Sequence, residues 1–216
     1  MPVHDWTRVD VGVFHHFTHS WIEEIKRVLN DGILSENYYA MVEASVAGDG
    51  RELNRAGETD MEFYRRKQNH IAVRTTSGDQ LLARVEVVSP GNKSSKLAIQ
   101  SFVERAAELI DRGIHLLLLD LFPPGPRDPQ GIHGVIWEDI CGEEYLPSAG
   151  KPLTFAAYEV DDSVRAYVEA IKAGDTLKDM PLFLRPHAHV PVPLEKTYES
   201  AFAAVPKRWR AVLEGK

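Results

Sequence analysis

The feature that most constrains this chain is the run at 114–121, where only His115 and Asp120 interrupt a series of Ile and Leu residues. It is far shorter than the roughly 20 apolar residues that a membrane-spanning helix needs. Gly113 precedes it, and Pro123, Pro124, Pro126 and Pro129 follow it. An apolar run of that length between breakers is expected to be a strand covered on both faces. Upstream, 81–88 alternates, so that Leu82, Arg84, Glu86 and Val88 share one face and Leu81, Ala83, Val85 and Val87 the other. Between the two runs, Leu97, Ala98, Ser101, Phe102, Ala106, Leu109 and Ile110 mark one face of a helix, with Ser94 or Ser95 as its N-cap and Gly113 just past its end. Strand, helix, strand is a crossover unit, which is right-handed in nearly all cases. It commits the chain to an α/β fold with a mixed central sheet and flanking helices.

The remaining pattern fits around that unit. Phe14, Phe17, Trp21, Ile22, Ile25, Val28 and Leu29 recur at helical spacing before Asp31-Gly32, which predicts an amphipathic helix over 14–30. Residues 38–46 have strand composition, and 48–60 are polar and without period, as a loop is. Ile71-Ala72-Val73 and 81–88 flank Thr75-Thr76-Ser77-Gly78-Asp79, a hairpin signal, and 155–160 and 164–171 flank Asp161-Asp162-Ser163 in the same way. Residues 181–193 are too proline-rich for a central strand, and a last helix over 194–213 is interrupted at Pro206. One domain over 1–216, with an N-terminal helix and a C-terminal helical tail, is the expected organisation.

The net charge of −7 opposes indiscriminate binding to nucleic acid, because nonspecific affinity comes from Lys and Arg neutralising phosphates. Any such contact has to be local. A single cysteine, Cys141, cannot close an internal disulfide and has no Cys or His neighbours at zinc-site spacing. With no signal-peptide pattern and no membrane span, a cytoplasmic protein with no membrane partner is expected.

Glu86 places a charge on a largely apolar strand, and a carboxylate there requires a metal, a cation or solvent. Just beyond it, Ser89-Pro90-Gly91-Asn92-Lys93-Ser94-Ser95-Lys96 leads into the helix with donors and cations, a setting that suits an anion such as phosphate. The plainer alternative is an ordinary polar loop, with Glu86 paired to Arg84 or to a lysine. Asp120 ends the buried strand at the edge where sites of α/β proteins gather. His15 and His19 share a helix face, Arg65-Arg66-Lys67 form a basic run, and Lys207-Arg208-Trp209-Arg210 mix cations with an aromatic ring. For these three, solvated or anchoring roles are the expectation.

The segment Val85-Glu86-Val87-Val88-Ser89-Pro90-Gly91-Asn92-Lys93, the helix after it and Gly113-Ile114-His115-Leu116-Leu117-Leu118-Leu119-Asp120 resemble the bacterial family catalogued as domain of unknown function 4058. Tyr38-Tyr39-Ala40-Met41-Val42-Glu43 and Met180-Pro181-Leu182-Phe183-Leu184 extend the likeness over nearly the whole chain. That family is in turn similar to the Uma-type proteins of the PD-(D/E)XK nuclease superfamily. The resemblance implies a restriction-endonuclease-like core and metal-dependent phosphodiester hydrolysis on nucleic acid, with Mg²⁺ or Mn²⁺ held by carboxylates. Carried over residue by residue, it implies Glu86 as metal ligand and catalytic acid and Glu43 as helper acid. No Pro-Asp strand precedes Glu86, which leaves Asp49 as the candidate for the second metal acid. Val88 stands where the superfamily has its lysine, so Lys93, or Lys96 one turn on, is expected to bring the charge. Ser89, Asn92 and Lys96 are the expected substrate-binding groups. Two rivals stand beside this reading. One is a non-catalytic binding or scaffold protein that retains a degenerate nuclease fold and uses the loop for binding or homodimer contacts. The other is an enzyme acting on a phosphorylated small molecule at the same loop.

Overall fold

The computed structural model describes residues 2–46 and 67–216, so Asp49, Arg65 and Arg66 lie outside the described residues. Helix α1 (Val11–Val28) begins at an N-cap, Asp10, whose carboxylate accepts the Gly12 N–H at 2.7 Å. The chain unwinds through Asp31 and Gly32, where the glycine takes φ +103°. Strands β1 (Tyr38–Val46), β2 (Lys67–Thr75) and β3 (Leu81–Val88) then form an antiparallel series. Helix α2 (Lys96–Asp111) carries the chain to β4 (His115–Asp120), which pairs parallel to β3 and is buried at every position, as its composition requires.

Beyond β4 come α3 (Gly131–Cys141), the hairpin of β5 (Leu153–Val160) and β6 (Val164–Ile171), and a second hairpin of β7 (Met180–Arg185) and β8 (Ala188–Val192). Helices α4 (Leu194–Ala203) and α5 (Lys207–Glu214) complete the chain, parted at Pro206 as expected. The main sheet has six strands in the order β1-β2-β3-β4-β5-β6, and β7-β8 forms a separate two-stranded sheet. The expected mixed sheet with the crossover helix packed on it is therefore present.

Two apolar clusters sandwich the sheet. On one face Ile71, Val73, Val85, Leu117 and Leu119 meet α1, α4 and the β7-β8 hairpin, with Trp6, Phe14, Phe17, Trp21 and Tyr198 fully buried. On the other, Leu116, Leu118 and Tyr158 meet α2 and α3. Two details of the sequence reading change. Helix α3 lies in a stretch for which no element was expected, its pattern being obscured by two glycines and a histidine among the apolar residues. In α2, Leu97 is 71% exposed, while Ile99 and Val103 are buried. The buried face follows Ile99, Phe102, Val103, Ala106, Leu109 and Ile110, about 100° per residue around the helix from Ser95, which caps it by accepting the Ala98 N–H at 3.0 Å. Among the described residues, no helix is long and apolar enough to cross a membrane.

Candidate functional site

The parallel pairing of β3 with β4 sets Val88 beside Asp120, so both strands deliver their carboxyl ends to one place. From Val88 the chain enters a 3-10 turn, Pro90–Lys93, whose geometry is fixed from within. Ser89 donates from its N–H and its hydroxyl to Asn92 Oδ1, at 2.8 and 2.9 Å, and the Asn92 N–H donates to the Ser89 carbonyl at 3.0 Å. Both side chains are buried. Ser89 and Asn92, expected to bind substrate, bond to each other and hold the turn.

That turn aims Lys93 inward. Its Nζ lies 2.6 Å from Asp120 Oδ2 and 3.2 Å from Asp128 Oδ2, and it donates to the Phe122 carbonyl at 2.9 Å. The side chains of Lys93, Asp120 and Asp128 are 10%, 3% and 2% exposed. The proline-rich loop supplies Asp128 through a tight turn, in which Asp128 Oδ1 accepts the Gly125 N–H at 2.9 Å and the Asp128 N–H donates to the Gly125 carbonyl at 3.2 Å. Asp120 Oδ1 accepts the Phe122 N–H at 3.0 Å. Burial pushes the Asp120 carboxyl up to about 6, against the opposing pull of the Lys93 ammonium. Desolvation outweighs the ion pair, and the neighbouring Asp128 charge adds a smaller push in the same direction. Beside this triad lies a cavity of about 240 Å³ lined by Pro90, Lys93, Phe122, Gly125, Arg127 and Asp128.

Lys93 therefore has partners other than those expected of it. Its ammonium sits among Asp120, Asp128 and the Phe122 carbonyl, and Asp120, paired with Val88 in the β3–β4 register, shares the sheet face of Glu86. The physical reason is that two carboxylates buried at the strand ends require a cation, and this lysine supplies it. Lys96 is exposed in the first turn of α2.

The other expected groups form a row across the sheet. Glu43 on β1, His70 on β2 and Glu86 on β3 are direct cross-strand neighbours. Glu86 accepts from Arg84 Nη1 at 3.2 Å, the plain pairing anticipated for it, and these side chains are 12% and 15% exposed. Glu43 Oε1 accepts from Arg74 Nε at 3.0 Å, and His70 Nε2 lies 3.7 Å from Glu43 Oε2. Burial and the nearby Arg84 charge hold the His70 imidazole below its usual range, so it is neutral at neutral pH. Arg105, on α2, is held below the ordinary guanidinium value by burial, and the Glu86 charge opposes that shift. Among the described residues, no three His, Cys, Asp or Glu side chains come together as a metal-holding group. Of the acids expected to take Mg²⁺ or Mn²⁺, the two among the described residues, Glu43 and Glu86, already accept from arginines, and these two alone do not make up the several oxygen ligands that a divalent ion takes.

The sequence reading missed Asp128 and His70. Asp-Pro in a Gly/Pro loop signals a turn, which Asp128 does make, but nothing local signals its partner. A larger cleft, about 480 Å³, lies away from both clusters, between β6 and the β7-β8 hairpin, and is lined in part by Glu159, Tyr167, Phe183 and His187. Its one buried carboxylate, Glu159, is already satisfied by the His187 N–H at 2.7 Å and the Tyr167 hydroxyl at 3.0 Å, bonds that hold it below the usual carboxylate range. We read that cleft as the seam of a packed hairpin. No family model, no curated protein and no solved structure matches this chain.

Proposed function

We propose that the chain is a non-catalytic binding or scaffold protein built on a degenerate restriction-endonuclease-like core. The crossover unit and the Glu86 strand support the resemblance to the domain of unknown function 4058 family and to the Uma-type proteins. One observation carries the loss of catalysis: Lys93, the nearer of the two lysines that could replace the one missing at Val88, is buried between Asp120 and Asp128, while Lys96 is exposed in the first turn of α2. An ammonium held there stabilises two carboxylates and is not free to stabilise charge developing on a phosphorus atom. The arginine partners of Glu43 and Glu86 favour the same conclusion. The second reading, a metal-dependent nuclease, draws its support from the alignment of Glu43, His70 and Glu86 in one cross-strand row.

The test is a cleavage assay on single- and double-stranded DNA and RNA with Mg²⁺ and with Mn²⁺, run on the wild type and on Glu86→Ala. The expected outcome is no cleavage by either protein and no rise in the melting temperature of the wild type on adding metal. Metal-dependent cleavage that Glu86→Ala abolishes would overturn the proposal in favour of the nuclease.

A further inference from the structure

The main sheet has two edges, and they are treated differently. At the β1 edge, the Asn30 side chain lies alongside like the end of another strand. Its amide Nδ2 donates to the Ala40 carbonyl and its Oδ1 accepts the Ala40 N–H, both at 2.9 Å. The groups that an incoming strand would pair with are thus occupied at that point. At the other edge, β6 pairs with β5 alone, and among the described residues no side chain bonds to its backbone. An unplugged edge strand is a template for another chain. This one also carries Tyr167 and Val168, 45% and 37% exposed, on its two faces.

We infer that β6 is a homodimer interface, on which a second copy of this chain pairs antiparallel about a two-fold axis centred on Tyr167. The self-complementarity of the strand selects both the partner and the register. Centred on Tyr167, the axis sets Arg165 of each copy opposite Glu169 of the other, on the face where their Tyr167 rings meet. On the opposite face it sets Ala166 against Val168 and Val164 against Ala170, a small residue against a larger one at each step. Moving the axis by one residue leaves neither charge opposite its complement. Within one copy Arg165 lies 3.5 Å from Glu159, and Glu169 lies 2.8 Å from Lys178. Arg165 is itself 47% exposed and its contact with the buried Glu159, which keeps its bonds from the His187 N–H and the Tyr167 hydroxyl, is long, while the Glu169–Lys178 pair lies at the surface, so both residues can bond across the interface. Because the contact is isologous it closes on itself, and the plug at β1 blocks open-ended growth from the other edge. The inference does not depend on whether the chain cuts nucleic acid.

Sedimentation velocity on the full chain over a concentration series tests it. The wild type is expected to be in a reversible, concentration-dependent monomer–dimer equilibrium. Glu169→Arg sets two arginines opposite each other twice, and weakens the dimer by roughly tenfold or more. Adding Arg165→Glu to that variant reverses both charges and restores it. Val168→Lys, which places a charge on the free edge, is the second probe should Glu169→Arg fold poorly, and it weakens the dimer likewise. A wild type that is monomeric at every concentration, or a dimer that both Glu169→Arg and Val168→Lys leave unchanged, overturns the inference.

Discussion

The chain holds charge in two places that differ in what surrounds them. At the carboxyl ends of β3 and β4, Lys93, Asp120 and Asp128 are almost wholly removed from water. Across β1, β2 and β3, the Glu43–Arg74 pair keeps part of its surface in solvent, its side chains 32% and 23% exposed, while the Glu86–Arg84 pair is more covered, at 12% and 15%. Buried charges depend on one another, because removing one partner strands the others in a medium of low polarity. Half-solvated pairs depend on each other far less, since water takes over from a missing partner. The first cluster thus belongs to the stability of the fold, tying the turn after β3 to the loop after β4. In the second, the Glu43–Arg74 pair contributes little stability and the better covered Glu86–Arg84 pair somewhat more, although Glu43 and Glu86 are among the residues that the nuclease resemblance singles out.

The largest effect is expected where the difference between the clusters is greatest. Lys93→Met keeps most of the stem and removes the ammonium, leaving two buried carboxylates face to face. The expected destabilisation is about 3–5 kcal/mol at neutral pH, measured by urea unfolding. A loss below about 1 kcal/mol, the range of exposed pairs, would mean that the triad behaves like the Glu43–Arg74 pair.

The pH dependence follows from Asp120. Its folded-state value of about 6 lies above the ordinary aspartate value of 3.8, so between these values the folded state binds more protons than the unfolded state. Stability from this group is therefore greatest below about pH 4 and declines as pH rises toward 6, by up to about 3 kcal/mol. Burial lowers His133 to about 4, which works in the opposite direction, because a buried neutral histidine loses stability as pH falls below its unfolded value. The Asp120 contribution is isolated by comparing the wild type with Asp120→Asn. The stability advantage of the wild type over that variant is expected to shrink as pH rises from 4 to 6 and to level off above. A difference that stays constant across that range would refute the raised value.

Much of the fold was legible in the sequence because period and composition are local. The run ending at Asp120 reads as a central strand by length alone, and Ser95 and Gly113 bracket α2 as cap and terminator, the glycine taking φ +76°. The pairing of Glu86 with Arg84, two residues away on the same face, was equally local and stood as the plain alternative. What was not legible is the contact between side chains from separate loops. Nothing in the Ser89–Lys93 segment says that Asp128, beyond α2, β4 and three prolines, will complete its charge. The same limit applies to His70, whose position opposite Glu86 exists only once the β2–β3 register is set.

The smallest effects belong to the strand row, and there the sign carries the information. Glu86→Gln keeps the shape and removes the charge. If the Arg84 pair is what Glu86 serves, the substitution should destabilise by about 1–2 kcal/mol, and Glu43→Gln, with its more exposed carboxylate, by about 0.5 kcal/mol. Were the two glutamates instead arranged to share a cation, their like charges on either side of a neutral His70 would repel in its absence. Neutralising either one would then stabilise the metal-free protein, as for any pair of acids that share a site. Thermal unfolding in the presence of a chelator, repeated with added Mg²⁺, separates the two. Destabilisation in both variants, with no response of the wild type to metal, makes the row a set of ordinary ion pairs. Stabilisation together with a metal response lost in Glu86→Gln would return the row to the chemistry that its sequence resemblance implies.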